Sequence, residues 1–149
     1  MKKLLILTAI IVVAAAANAQ LNPVSWTYSA KKIADKTYEL HMTATIQSGW
    51  HLYSQTQPED AIAEPTTVTI NKNPLLTLEG KINEEGKMEK FHDEKLEVSA
   101  NQYSSTVSFV QVVKLKAKAK TNVSGSIRFQ TCNDEKCLPP KTVTFSVAL

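Results

Sequence analysis

Past its first nineteen residues the sequence has no apolar stretch near the ~20 residues that a spanning helix needs, so stable membrane insertion of the remainder is not expected. No segment sustains a helical period, which argues against a helical bundle. There is no internal repeat and no low-complexity linker, so the chain reads as one domain. Cysteine is scarce, with two in 149 residues, and neither follows the opening apolar run, which excludes lipid attachment there. Excess charge of one sign is also missing. The formal net charge is +3, and removal of Lys2 and Lys3 with a leader brings it to +1, so a basic nucleic-acid footprint is absent. The one basic stretch, Lys114 to Lys120, reads as a strand end whose solvated lysines guard a sheet edge.

What is present begins with an export signal. Lys2 and Lys3 give a charged start, Leu4 to Ala17 an apolar core, and Ala17-Asn18-Ala19 an A-x-A cleavage site. The expected division is a signal peptide over 1–19 and a mature domain over 20–149, exported and soluble, with enough chain to bury a core.

The dominant period in that domain is two. From Tyr38 to Ile46, the residues Tyr38, Leu40, Met42, Ala44 and Ile46 share one face, and Glu39, His41, Thr43 and Thr45 the other, which predicts a half-buried strand. Val107, Phe109, Gln111, Val113 and Leu115 alternate similarly, while Val110 and Val112 make the second face apolar too, which predicts a central strand. Further strands are expected around Val123, Ile127 and Phe129, around Val143, Phe145 and Val147, and over Trp26 to Ser29, Thr67 to Ile70, Leu75 to Leu78 and Leu96 to Ala100. Turns are expected at Ser48-Gly49, Asn71 to Pro74, Glu84-Glu85-Gly86, Asn101-Gln102 and Thr121-Asn122, and long loops over Ser54 to Pro65 and Gly80 to Glu94. Seven to nine short strands so spaced predict an all-β fold, an antiparallel sandwich of immunoglobulin-like type.

The chemistry rests on Cys132 and Cys137, in Thr131-Cys132-Asn133-Asp134-Glu135-Lys136-Cys137-Leu138-Pro139-Pro140. In an exported chain this pair is able to form a disulfide. Three readings stand. As a staple, the bond closes about six residues and stabilises by roughly 2 kcal/mol in the chain-entropy treatment, less than a long-range bridge would give. As a redox group, a short reachable bond undergoes thiol–disulfide exchange; Lys136 favours a thiolate at Cys137, whereas Asp134 and Glu135 oppose it. As metal ligands, the two thiolates would need His41, His51 or His92, none of which lies at ligand spacing, so no metal is expected. The spacing is not the C-x-x-C of thioredoxins, and the Cys…Trp…Cys spacing of true immunoglobulin domains is absent. Read alone, Phe91 fits an ordinary core residue as well as a site residue, whereas Tyr53 reads as a core or rim tyrosine and His51 as an exposed strand residue.

Three segments carry a resemblance. Phe129-Gln130-Thr131-Cys132, followed by Cys137-Leu138-Pro139-Pro140 and Lys141 to Phe145, resembles the end of the N-terminal (alpha) domain of the thiol:disulfide interchange protein DsbD family. Gly49-Trp50-His51-Leu52-Tyr53-Ser54 is similar to that family's Gly-aromatic-x-Leu-Tyr segment, and Lys87-Met88-Glu89-Lys90-Phe91-His92-Asp93 to its charged, phenylalanine-bearing cap loop. The likeness runs from about Leu21 to Leu149.

The resemblance implies an immunoglobulin-like sandwich with the cysteines on neighbouring strands at one end. It implies a periplasmic electron relay, in which a thioredoxin-like domain of a membrane partner reduces the disulfide and the dithiol then reduces other exported thiol proteins, as a protein-disulfide reductase component. By position, Cys137 would form mixed disulfides, Cys132 would resolve them, Phe91 would cap the pair on a mobile charged loop, and Tyr53 and His51 would line the site beneath. Glu89 precedes the cap, with Lys90 where the family often carries a second acid, and His51 stands where it often carries an aromatic. The membrane-spanning and thioredoxin-like domains of the full family protein have no counterpart in these residues. No bound cofactor is expected, because the cysteine pair is itself the redox group. The competing expectation is a non-enzymatic binding module on the same fold, with a structural disulfide.

Overall fold

The computed structural model describes residues 21–149; the expected leader and its cleavage site lie outside them. The described residues form eleven strands and no helix. They are β1 (Val24–Ala34), β2 (Thr37–Ile46), β3 (His51–Tyr53), β4 (Thr67–Ile70), β5 (Leu76–Gly86), β6 (Glu89–Asp93), β7 (Val98–Tyr103), β8 (Thr106–Leu115), β9 (Asn122–Phe129), β10 (Thr131–Cys132) and β11 (Lys141–Ala148). One sheet has the order β1-β2-β8-β5, a second β11-β9-β4 and a third β10-β3-β7-β6. Every pairing is antiparallel. The fold is an all-β immunoglobulin-like sandwich.

The period-two segments form the core. Leu40, Met42, Ala44 and Ile46 of β2 are buried, as are Val107, Phe109, Val113 and Leu115 of β8. β8 lies between β2 and β5, a central strand as expected, and Val110 on its other face is buried too. Across from them Val123, Ile127 and Phe129 of β9 and Phe145 of β11 complete the core. Trp26 of β1 reaches over it, with its ring 5.9 Å from that of Phe109 and 5.3 Å from that of Phe129. Leu52 and Tyr103 bring the third sheet onto the same core. β9 runs on into β10 with only Gln130 between them, so one continuous stretch of chain carries the core strand out to the cysteines.

Several expectations are corrected. There are more strands than seven to nine, and β1 is far longer than Trp26 to Ser29. The segment Gly80 to Glu94 is not a loop: β5 continues through it to Gly86, and β6 follows at Glu89. Its many charges reflect two edge strands, where polar side chains are solvated and protect the edge. Gly80, at φ 70°, marks the shift between Glu79 and Asn83, after which β5 pairs with β8 again. Glu84-Glu85-Gly86 therefore ends a strand, and Asn101-Gln102 lies within β7, whose turn comes at Ser104-Ser105. Asn122 of the expected Thr121-Asn122 turn is already the first residue of β9. The lysine run follows a central strand, not an edge, although Lys114 is exposed and pairs with Glu79 at 3.6 Å.

Candidate functional site

The third sheet builds the site through its register. Cys132 of β10 is opposite His51 of β3, and Tyr53 of β3 is opposite Gln102 of β7. Gln102 is opposite Glu89 of β6, and Ala100 is opposite Phe91. Directly paired residues share a face, as do residues two apart along a strand. Cys132, His51, Tyr53, Gln102, Ala100, Glu89 and Phe91 therefore all stand on one face. The intervening Leu52 and Tyr103 point to the main core and anchor the sheet there.

The Cys132–Cys137 disulfide is formed, with the two Cα atoms 4.0 Å apart. The cysteines oppose each other as an isolated bridge, flanked by hydrogen bonds from Asn133 N to Lys136 O and from Leu138 N to Thr131 O, both 2.9 Å. They are thus a non-hydrogen-bonded cross-strand pair, the type whose side chains lie closest. Asn133 shapes the turn between them: its side-chain oxygen accepts from the backbone N–H of Glu135 at 3.0 Å and of Lys136 at 2.8 Å. Gln130 ties the base of this hairpin to its surroundings. Its amide donates to the Leu138 carbonyl at 3.2 Å, and its side-chain oxygen accepts from Glu64 N at 3.0 Å.

The two sulfurs sit in unlike surroundings. Cys132 is 4% exposed and packs with Tyr53 and Ala100 in a small apolar cluster separate from the main core, whereas Cys137 is exposed. A cavity of about 420 Å³ opens beside them, lined by His51, Tyr53, Phe91, Cys132 and Cys137 among others. Ile62, Leu96 and Phe91, at 77%, 68% and 46% exposure, present apolar surface around it. Burial pushes the Tyr53 phenol above its ordinary range, so it faces the cavity as a neutral hydroxyl.

Of the six residues expected at the site, five line this one cavity. Glu89 does not; it reaches His51 indirectly. The Ser104 hydroxyl donates to Glu89 Oε2 at 2.6 Å and lies 3.0 Å from His51 Nδ1. The expected cap loop is corrected here. Phe91 stands on edge strand β6, paired to β7, and not on a loop. The β6–β7 turn is held by Asp93 Oδ1, which accepts from Lys95 N and Leu96 N, with Glu97 in the left-handed region at φ 52°. Cys137 remains exposed with Phe91 in place, so any shielding by the ring comes from one side.

Sequence reasoning missed Ser104, Asn133 and the apolar rim of Ile62 and Leu96. It also missed Glu84, which fixes the start of the long loop after β3. That carboxylate accepts from Ser54 Oγ at 2.7 Å, Gln55 N at 2.6 Å and Tyr103 Oη at 2.6 Å. Burial first, then the Glu84 hydrogen bond and its charge, push the Tyr103 phenol far above its ordinary range. Among the described residues no cluster of three or more histidine, cysteine or acidic side chains has the arrangement of a metal site.

Residues 18–149 match the family described as "Thiol:disulfide interchange protein DsbD, N-terminal". Solved structures with a similar fold include the reduced DsbD N-terminal domain of Neisseria meningitidis, with TM-score 0.53, 17% identity, and 83% of this chain and 84% of that one covered. The complex between the DsbD N-terminal and PilB N-terminal domains of the same organism gives 0.50 at 16% identity, covering 87% of this chain and 88% of that one. The N-terminal periplasmic domain of ScsB from Proteus mirabilis gives 0.56 at 13% identity, over 88% of this chain and 47% of that one. At such identities these likenesses speak for the fold. No curated protein sequence matches the chain.

Proposed function

The chain belongs to the family of the N-terminal domain of the thiol:disulfide interchange protein DsbD, and from that premise we propose that it is an exported electron relay. In this reading residues 1–19 are a cleaved signal and 20–149 a periplasmic domain. A thioredoxin-like donor, carried by a membrane protein, reduces the Cys132–Cys137 bond, and the dithiol then reduces disulfides of exported thiol proteins. The family and the formed disulfide support thiol–disulfide exchange as the chemistry. A protein partner is supported by the solved complex of a DsbD N-terminal domain with a PilB N-terminal domain, and by the apolar rim of Ile62, Leu96 and Phe91.

The observation that carries the assignment of roles is the unequal exposure of the two sulfurs. Exchange requires a thiolate to attack a disulfide sulfur in line, with the other sulfur leaving. An incoming protein thiolate reaches exposed Cys137, not buried Cys132. Attack on Cys137 Sγ forms a mixed disulfide and releases Cys132 as a thiolate. The donor's second thiol then displaces Cys137, leaving the donor oxidised and this protein with two thiols. Two electrons and two protons have moved. The second half runs in reverse: the Cys137 thiolate attacks an acceptor disulfide, and Cys132 closes on Cys137, expelling the acceptor thiolate. Phe91, Tyr53 and His51 restrict approach from the cavity side, and the cysteine pair needs no other redox group.

Trapping tests these roles. Cys132→Ser should accumulate a mixed disulfide with a thioredoxin-like donor through Cys137, visible as a reducible band. Cys137→Ser should accumulate little. Equal trapping by both variants would refute the assignment, and trapping by neither would move the reading to a binding module with a structural bond.

A further inference from the structure

His51 stands between the cysteine pair and a carboxylate. Its Cα is opposite Cys132 across β3 and β10, which places the two Cβ atoms about 4.5–5.5 Å apart. Extending the Leu52–Tyr103 pairing outward by one residue places Ser104 on its other side. The ring's Nδ1 lies 3.0 Å from Ser104 Oγ, and that hydroxyl donates to Glu89 Oε2 at 2.6 Å. A serine has one proton to donate, and here it goes to the carboxylate. Ser104 Oγ must therefore accept from His51, so the neutral ring carries its proton on Nδ1 and its lone pair on Nε2. Nε2 lies 3.8 Å from Asp134 Oδ1, in the turn that joins the two cysteines. The groups facing the ring are thus Glu89 through Ser104, Asp134 from the cysteine turn, Cys132 from β10, and the Tyr53 phenol two residues along β3. The ring is thus oriented through Nδ1, Nε2 is turned toward the turn that joins the cysteines, and the backbone pairing sets Cys132 beside it; a base so held next to a thiol is the arrangement that activates cysteine.

We propose that His51 is the base that takes the proton of Cys132 when that buried thiol resolves a mixed disulfide on Cys137, a role that rests on the exchange reading above. Cys132 Sγ–H gives its proton to His51 Nε2. The thiolate attacks Cys137 Sγ in the Cys137–acceptor bond, the new Cys132–Cys137 bond forms, and the acceptor sulfur leaves with the electron pair. The imidazolium then passes its proton to the departing thiolate or to water. Ser104 and Glu89 are positioning residues: they fix the ring and stabilise its charged form after the transfer. Burial makes such a base useful, because a thiol shielded from water, as Cys132 is, has no solvent to receive its proton.

The test follows resolution alone. The protein is reduced with excess small dithiol, freed of it, and mixed with one equivalent of an aromatic disulfide, dithiobis(nitrobenzoate), whose thiolate absorbs visible light. A first phase reports attack by Cys137, and a second reports Cys132 closing the bond. In the wild type the second rate should level off near neutral pH. In His51→Gln it should be roughly tenfold slower at neutral pH and should climb through about 8.5, where a free thiol ionises. Ser104→Ala leaves His51 in place but cuts its link to Glu89, so its plateau should be lower. A second phase in both variants with the wild-type rate and profile would overturn the proposal. The relay reading fails differently, as a bond that a protein donor cannot reduce; chemical reduction makes this profile readable either way.

Discussion

At the scale of single residues, the two cysteines are identical in the sequence and unlike in the structure. Their spacing is symmetric, so it cannot say which sulfur is reachable; that follows from Cys132 packing with Tyr53 and Ala100 while Cys137 sits at the rim. Phe91 tests how access is controlled. Its ring lines the cavity beside both cysteines and is itself 46% exposed. In the reduced protein Phe91→Ala should speed alkylation of Cys137 severalfold, measured as the rate of reagent incorporation, and an unchanged rate would remove Phe91 from the site. His51, Tyr53, Phe91 and Glu89 were legible because they sit in segments that resemble a family. Ser104 was not, since an isolated serine in a turn carries no motif. Only the strand register shows that it bridges His51 and Glu89.

At the scale of elements, strands with one buried face were legible and edge strands were not. β2 and β8 announce themselves because alternate residues are buried in the core, so apolarity repeats every two positions. β5 past Gly80 and β6 are edge strands with exposed residues on both faces, so their sequences carry charge without period. The burial asymmetry that makes a strand readable is missing there, and a charged strand reads as a loop. The difference matters for function, because the Phe91 segment is part of a hairpin and not a mobile flap. β9 shows another constraint that periodicity leaves unseen. Gly125 lies between Ile70 of β4 and Phe145 of β11, and a Cβ there would meet the Thr69 carbonyl oxygen and the Phe145 ring, the latter at 2.7 Å from Cζ. Gly125→Ala should therefore destabilise by about 1–3 kcal/mol, as overpacking does, read as a lower denaturant midpoint. A midpoint equal to the wild type would show that the strands can part there without cost.

At the scale of the whole molecule, stability and chemistry occupy different places. The main core joins all three sheets through Leu40, Met42, Phe109, Ile127 and Leu52, while the disulfide belongs to a small cluster with Tyr53 and Ala100 at one end. A bond that closes so short a loop, outside the main core, contributes little to holding the sandwich together. Opening it should leave the fold intact, which a relay needs and a staple does not. The reduction potential of the Cys132–Cys137 pair reads this directly, by equilibrating the folded protein against glutathione buffers and trapping the thiols. A potential of about −200 to −270 mV, in the range of known exchange proteins, is the predicted result. A value below about −300 mV would mark a structural bond and contradict the relay.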